Sequence, residues 1–323
     1  SVSVLGFLTA GLVLRPRDAA FTIRFVSLLL VASAALHLSI HLFAPGIEAS
    51  VARDADQYTG ELGGRARLQG ILSGPFHAAM LGVIVVYLGS AKISPIRPAF
   101  RLPAISLGVA VVLESLVRTG LAAVMLVGAC LVLAQISSVR SVLLRFLVYV
   151  GCLLASFAAS LKVVPGLISA LLDQRFTQRF GDWQESLGLI WERPGFGWGA
   201  GAAGDTLAPL YEPHFTHITA HSMFLKYFVE GGVLLGLLAI SAILLALGTA
   251  IGLPGHLLSW YFVPVMVVLF FGLTSSAVDA APVSTLSFLL LGAGIASSRL
   301  TDSALESDGQ PLRRLSAPGI PGN

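Results

Sequence analysis

Long apolar runs separated by short polar stretches dominate the chain. A helix that crosses about 30 Å of hydrocarbon needs about 20 apolar residues, because lipid offers no partners for free backbone N–H and C=O groups. Nine runs approach this length, and they cover residues 1–14, 20–44, 71–90, 103–117, 119–138, 144–169, 222–250, 257–274 and 281–298. The pattern therefore predicts an all-α integral membrane protein with about nine transmembrane helices.

The composition strengthens this prediction and removes several function classes. Hydrophobic residues make up 55% of the 323 residues and charged residues only 11%. A soluble domain of this length needs a polar coat, which 20 Lys and Arg with 17 Asp and Glu cannot supply. The net charge of +3 comes from dispersed cations, so we expect no nucleic-acid partner.

The positions of the cations predict how the chain is threaded. Cytoplasmic loops carry an excess of Lys and Arg. The residues that mark this side are Arg15, Arg17, Lys92, Arg97, Arg101, Arg140, Arg145, Arg299, Arg313 and Arg314. The loops 45–70 and 170–221 then face outward. Nine crossings with a cytoplasmic tail place Ser1 outside, directly in an apolar run, so we expect that one or more N-terminal helices are missing. We predict one transmembrane domain over residues 1–298 and a disordered tail over residues 299–323.

Ionisable residues within the apolar runs are functional candidates, because a charge is costly to hold in a membrane. They are Arg24, Glu114, Lys162, Lys226 and Glu230, together with Arg118 at the turn between the fourth and fifth runs. Glu114 and Arg118 are four residues apart and would share one face of a helix. Two readings stay open: a structural ion pair at the helix end, or an Arg118 that grips a phosphate in an outer cavity.

The second outer loop predicts a helix at the membrane interface. From Gln174 to Glu192, apolar residues recur at helical spacing, while Arg175 and Arg179 occupy the other face. These arginines would face either a polar ligand or lipid phosphates. Pro194 then ends the helix, and four glycines up to Gly201 allow the chain to approach a ligand or the helix bundle closely.

Histidines mark the end of this loop and the second apolar run. The spacing of His214, His217 and His221 suits a metal site, but Glu212 is the only nearby acid, so we expect no metal. His221 precedes Lys226 and Glu230 on roughly one face, where an imidazole is suited to act as a general base. For His37 and His41, we expect packing at the interface rather than metal or haem ligation.

Several stretches in chain order resemble motifs of the O-antigen ligase and O-antigen polymerase family of bacterial envelope enzymes. They are Arg67 to Ala79, Val117 to Thr119, Arg179 to Trp183, Pro194 to Gly201, His221 to Leu225, and Glu230 to Gly232. Gly74, Phe76 and Ser222 stand where the family usually has asparagine.

The resemblance implies a multi-spanning glycosyltransferase that uses neither nucleotide sugar nor metal nor another cofactor. Such enzymes take a glycan from undecaprenyl diphosphate at the outer face of the bacterial inner membrane. The acceptor is lipid A core for a ligase and another lipid-linked repeat unit for a polymerase. By this resemblance His221 is the catalytic base, and Arg118, Arg179 and Arg67 bind the diphosphate. Glu114, Lys226 and Glu230 would support them.

Two other classes also fit a polytopic chain. Buried arginines and histidines line the paths of polyprenyl-lipid or solute transporters, which often contain internal repeats. No repeat relates the two halves of this chain, and the charged candidate site residues gather at the predicted outer mouth, which favours chemistry at the surface. A scaffold for an envelope assembly complex would instead tolerate the loss of His221.

Overall fold

The computed structural model describes residues 2–51, 66–68, 70–72, 74–91, 96–135, 151, 155, 174–199, 202–203, 220, 222–252, 255–273 and 283–307. Within these ranges the chain forms helices and no strand. The helices are α1 (Val2–Leu12), α2 (Pro16–Phe43), α3 (Pro45–Val51), α4 (Pro75–Ser90), α5 (Pro98–Ser115), α6 (Arg118–Gln135), α7 (Gln174–Glu192), α8 (Met223–Gly252), α9 (Gly255–Gly272) and α10 (Val283–Ser307).

The all-α prediction is confirmed for the described residues. Among the described residues, three helical spans are long and apolar enough to cross a membrane: Arg17–Phe43, Pro98–Ser115 and Met223–Leu245. Four apolar helices are shorter: Pro75–Ser90, Thr119–Gly128, Val263–Gly272 and Val283–Ala296. The predicted crossing at 144–169 lies outside the described residues except for positions 151 and 155. The number nine therefore stays a prediction.

Proline sets the start of four helices. Pro16, Pro45, Pro75 and Pro98 are the first residues of α2, α3, α4 and α5. Proline fits this position because its fixed φ is already helical and its missing N–H would have no partner in the first turn. These prolines place the helix ends more sharply than the apolar runs alone.

Glycine allows the closest helix contacts. A Cβ atom at Gly82 of α4 would lie 2.8 Å from the carbonyl oxygen of Gly108 in α5. A Cβ at Gly11 of α1 would lie 2.7 Å from the backbone nitrogen of Ala293 in α10. Small residues at such contacts let backbones approach, which is how helices associate in lipid.

Large apolar side chains remain exposed along α2 and α8. They include Phe21, Phe25, Leu28, Leu234, Leu238 and Leu245. Exposed apolar patches of this kind mark a surface that meets lipid or another apolar partner. The burial pattern thus agrees with helices that pack on one side and face hydrocarbon on the other.

The last helix differs from the prediction. Helix α10 continues to Ser307, so the first nine residues of the predicted disordered tail are helical. Ala304, Leu305 and Glu306 have high helix propensity and extend the helix without an apolar periodicity. Residues 308–323 lie outside the described residues.

Candidate functional site

Helix α8 is interrupted at Gly232. The backbone angles of this residue are φ 66° and ψ −173°, which lie outside the helical region. The regular bond from the N–H of Val233 to the carbonyl of Val229 is replaced, because Val233 donates instead to the carbonyl of Pro194 at 2.7 Å. An interrupted helix exposes backbone polar groups, and in a membrane protein these groups need partners from elsewhere.

The glycine-rich loop after α7 supplies these partners. The N–H groups of Trp198 and Gly199 donate to the carbonyls of Val229 and Glu230, both at 2.9 Å. Gly197 has φ 67°, and a Cβ at this residue would collide with the backbone of α8. We call residues 193–199 the splint. The sequence left two targets open for this loop, a ligand or the bundle, and the structure shows contact with the bundle.

Trp198 anchors the splint to the end of α7. Its Nε1–H donates to the carbonyl of Leu189 at 2.9 Å. The guanidinium of Arg193 lies over its ring, 3.8 Å from the ring centroid. The end of α7 is thereby fixed to the first half of α8.

A buried ion pair precedes the break. Lys226 and Glu230 are 7% and 6% exposed, and the Lys226 Nζ lies 3.4 Å from Glu230 Oε1. Glu230 also contributes to a groove of about 390 Å³ beside the break, whose other lining residues are Phe196, Gly199, Gly231, Leu234, Leu235 and Leu238. The predicted sharing of one helical face by Lys226 and Glu230 is confirmed.

Arg67 lies beside the turn between α5 and α6. Its Nε donates to the carbonyl of Ser115 at 3.2 Å, and its guanidinium carbon is 5.9 Å from the centroid of the Phe76 ring. The next residue, Leu68, donates its N–H to the carbonyl of Glu114 at 2.9 Å. The segment 66–68 therefore fixes Arg67 next to the turn that leads into Arg118.

The predicted helical face shared by Glu114 and Arg118 is wrong. Helix α5 ends at Ser115, Leu116 adopts a left-handed conformation with φ 52°, and α6 begins at Arg118. The two residues thus belong to different helices. The boundary between the predicted runs 103–117 and 119–138 falls at Arg118, so the spacing rule for residues of one helix did not apply to this pair.

A polar cluster at the same end of the bundle was not predicted. His41 Nδ1 lies 2.8 Å from Glu48 Oε2, and the other Glu48 oxygen accepts the Gly70 N–H at 2.7 Å. His41 Nε2 lies 4.0 Å from Glu114 Oε2. We call His41, Glu48 and Glu114 the His–Glu cluster. The sequence signal was Glu48, an acid seven residues after His41 in otherwise apolar surroundings.

His37 links the same segment to α2. The N–H of Ile71 donates to His37 Nδ1 at 3.2 Å, and His37 is buried. This agrees with the expected packing role. The C-terminal ends of α2 and α5 and the segments 66–68 and 70–72 thus meet at one end of the bundle.

Three predicted site residues lack described side chains. Arg118 is the first residue of α6 and Arg179 belongs to α7, but their side chains lie outside the described part of the structure. His221 lies outside it entirely, as do His214 and His217. The predicted convergence of His221, Arg118 and Arg179 therefore stays a prediction.

Comparison with known families supports the motif reading. Residues 103–240 match a family model described as O-antigen ligase. The matched range contains every motif stretch named above except the one that begins at Arg67. No curated protein matches the chain. The predicted family resemblance is confirmed, and the family implies a membrane glycosyltransferase-like enzyme.

Proposed function

We propose, because residues 103–240 match the O-antigen ligase family, that the protein transfers a glycan from undecaprenyl diphosphate to an acceptor hydroxyl. The family match carries this proposal, since it spans the turn before Arg118, helix α7, the splint and the start of α8. The reaction takes place at the outer face of a bacterial inner membrane. The acceptor is lipid A core in a ligase, and the alternative within the family is a polymerase that extends another lipid-linked repeat unit.

His221 is the proposed general base. It accepts the proton of the acceptor hydroxyl as the hydroxyl oxygen bonds to the anomeric carbon. The bond from that carbon to the diphosphate oxygen breaks in the same step, so the configuration inverts. The buried pair of Lys226 and Glu230 supports this assignment, because it fixes the first turns of the helix that follows His221.

Arg118, Arg179 and Arg67 are the proposed diphosphate ligands. The departing diphosphate gains negative charge, and guanidinium groups bind such oxygens in pairs of parallel hydrogen bonds. The contact of Arg67 with the Ser115 carbonyl supports this role, since it brings one guanidinium to the turn that leads into Arg118. The apolar groove beside the α8 break suits part of the isoprenoid tail.

Reconstitution with defined substrates tests the proposed function. The purified protein is incubated in liposomes with an undecaprenyl-diphosphate-linked glycan and either lipid A core or a second lipid-linked unit. Glycan on lipid A core indicates a ligase, and a longer lipid-linked glycan indicates a polymerase. Absence of both products contradicts the proposal. We expect the same yield with a chelator, and a loss of product that Zn²⁺ restores would favour a metal site at the histidines.

A further inference from the structure

The His–Glu cluster contains an imidazole, that of His41, whose orientation is fixed. The side chain of Glu48 is 9% exposed, and its two oxygens contact His41 Nδ1 and the Gly70 N–H. A carboxylate on one ring nitrogen fixes the orientation of the ring and directs the other nitrogen. His41 Nε2 is therefore aimed toward Glu114.

Glu114 is the accessible member of the cluster. Its side chain is 47% exposed, whereas that of His41 is 11% exposed. Within the part of the chain that the structure describes, its carboxylate accepts no hydrogen bond, and it lies 4.0 Å from His41 Nε2. This separation is too long for a direct hydrogen bond. The His41 side chain is thus mostly buried, whereas the Glu114 carboxylate is accessible from solvent.

The separation suits one bridging oxygen atom. An oxygen about 2.8 Å from each group forms a near-right angle between them and two hydrogen bonds of ordinary length. A hydroxyl group meets both requirements, because it donates its proton to the Glu114 carboxylate and accepts a bond from the Nε2–H of His41. A diphosphate oxygen is unsuitable, since two nearby carboxylates repel it.

We infer that Glu114 and His41 form a binding site for one sugar hydroxyl, with Glu48 as the residue that positions His41. The inference rests on the proposed function, which brings glycans to this end of the bundle. Glycan hydroxyls occur on both the acceptor and the donor glycan. The site would bind an acceptor hydroxyl and a donor hydroxyl by the same contacts, and steady-state kinetics can distinguish the two.

Glu114→Gln tests the site with little change in shape. The amide keeps one acceptor oxygen but loses the charge, and hydrogen bonds to charged groups are the stronger ones. We expect the KM of one substrate to rise about tenfold or more while that of the other stays unchanged. Asp18→Asn is the matched control, because Asp18 is an exposed carboxylate near the opposite end of α2.

The substrate whose KM rises in Glu114→Gln is the one that carries the bound hydroxyl. A higher KM for lipid A core places an acceptor hydroxyl at Glu114, and a higher KM for the lipid-linked glycan places a donor hydroxyl there. Unchanged KM values in Glu114→Gln, with active wild-type protein, overturn the inference and leave the proposed function intact. A merely structural role for Glu114 would lower thermal stability and kcat without raising one KM selectively.

Direct binding separates this inference from the proposed function. If the wild-type protein transfers no glycan, the proposed function fails, and binding of purified lipid A core and of the lipid-linked glycan to the protein in detergent is measured by titration. The site is overturned if wild type and Glu114→Gln bind both ligands equally, or if neither protein binds either ligand. Binding at least tenfold weaker in the variant supports it.

Discussion

Lys226 and Glu230 form a buried ion pair, so their contributions to the free energy of unfolding depend on each other. Both are almost fully buried, and the pair lies 3.4 Å apart. Removal of one partner leaves a buried charge without its counter-ion, which costs about 3–5 kcal/mol, whereas replacement of both costs much less. Glu230→Gln should therefore lower the free energy of unfolding strongly, and Lys226→Met combined with Glu230→Gln should recover most of it.

Thermal unfolding in detergent measures this coupling. The single variant should unfold at a clearly lower temperature than the wild type, and the double variant should lie between them. A single variant as stable as the wild type contradicts the prediction. So does a double variant less stable than the single one.

Replacement of Arg118 or Arg179 by lysine tests whether these residues bind the diphosphate. Lysine keeps the charge but loses the planar fork that binds phosphate at two points. Arg118→Lys and Arg179→Lys should each lower the rate of glycan transfer by about tenfold to a hundredfold, as expected for the loss of a charged hydrogen bond. Arg17→Lys is the matched control, because Arg17 is an exposed arginine predicted on the cytoplasmic side. This variant should transfer glycan at the wild-type rate. Full activity of both site variants would move the diphosphate site elsewhere.

At the scale of elements, the break in α8 and the splint form one unit. Gly232 has a positive φ, and a Cβ there would lie 2.7 Å from the backbone nitrogen of Gly197. Gly232→Ala should cost about 1–3 kcal/mol from backbone strain and should also displace the splint. Gly248→Ala is the control in the same helix, because a Cβ at Gly248 meets nothing within 4 Å.

Limited proteolysis and thermal unfolding compare these two variants. Gly232→Ala should be cleaved faster between residues 193 and 199 and should unfold at a lower temperature. Gly248→Ala should resemble the wild type or be slightly more stable, since alanine favours helix. Equal cleavage of both variants would mean that the splint does not depend on the break.

Some elements could be predicted closely and others could not. Helix α7 spans Gln174–Glu192, as its periodicity predicted, because the apolar spacing and Pro194 define it locally. The break at Gly232 was missed within the predicted segment 222–250. Its cause is pairing with a loop more than thirty residues earlier, which no local pattern contains. The contact of His41 with Glu48 was missed because it depends on the turn between α2 and α3.

At the scale of the whole molecule, the orientation of the chain across the membrane is still a prediction from the positions of Lys and Arg. Ser50 in α3 lies at the predicted outer end, and Arg97 before α5 lies at the predicted cytoplasmic end. Both residues are exposed. In a variant with Cys130 and Cys152 replaced by serine, a membrane-impermeant maleimide should label Ser50→Cys in spheroplasts. Arg97→Cys should react only after lysis, and the reverse result would invert the threading.

Transfer by the His221→Ala variant tests the central claim most directly. The variant is reconstituted beside the wild type with lipid-linked glycan and acceptor, after equal thermal unfolding and equal insertion in liposomes have been verified. The proposed mechanism predicts product from the wild type and almost none from the variant, because alanine cannot accept the proton of the acceptor hydroxyl. Transfer at the wild-type rate by a folded His221→Ala protein would contradict it.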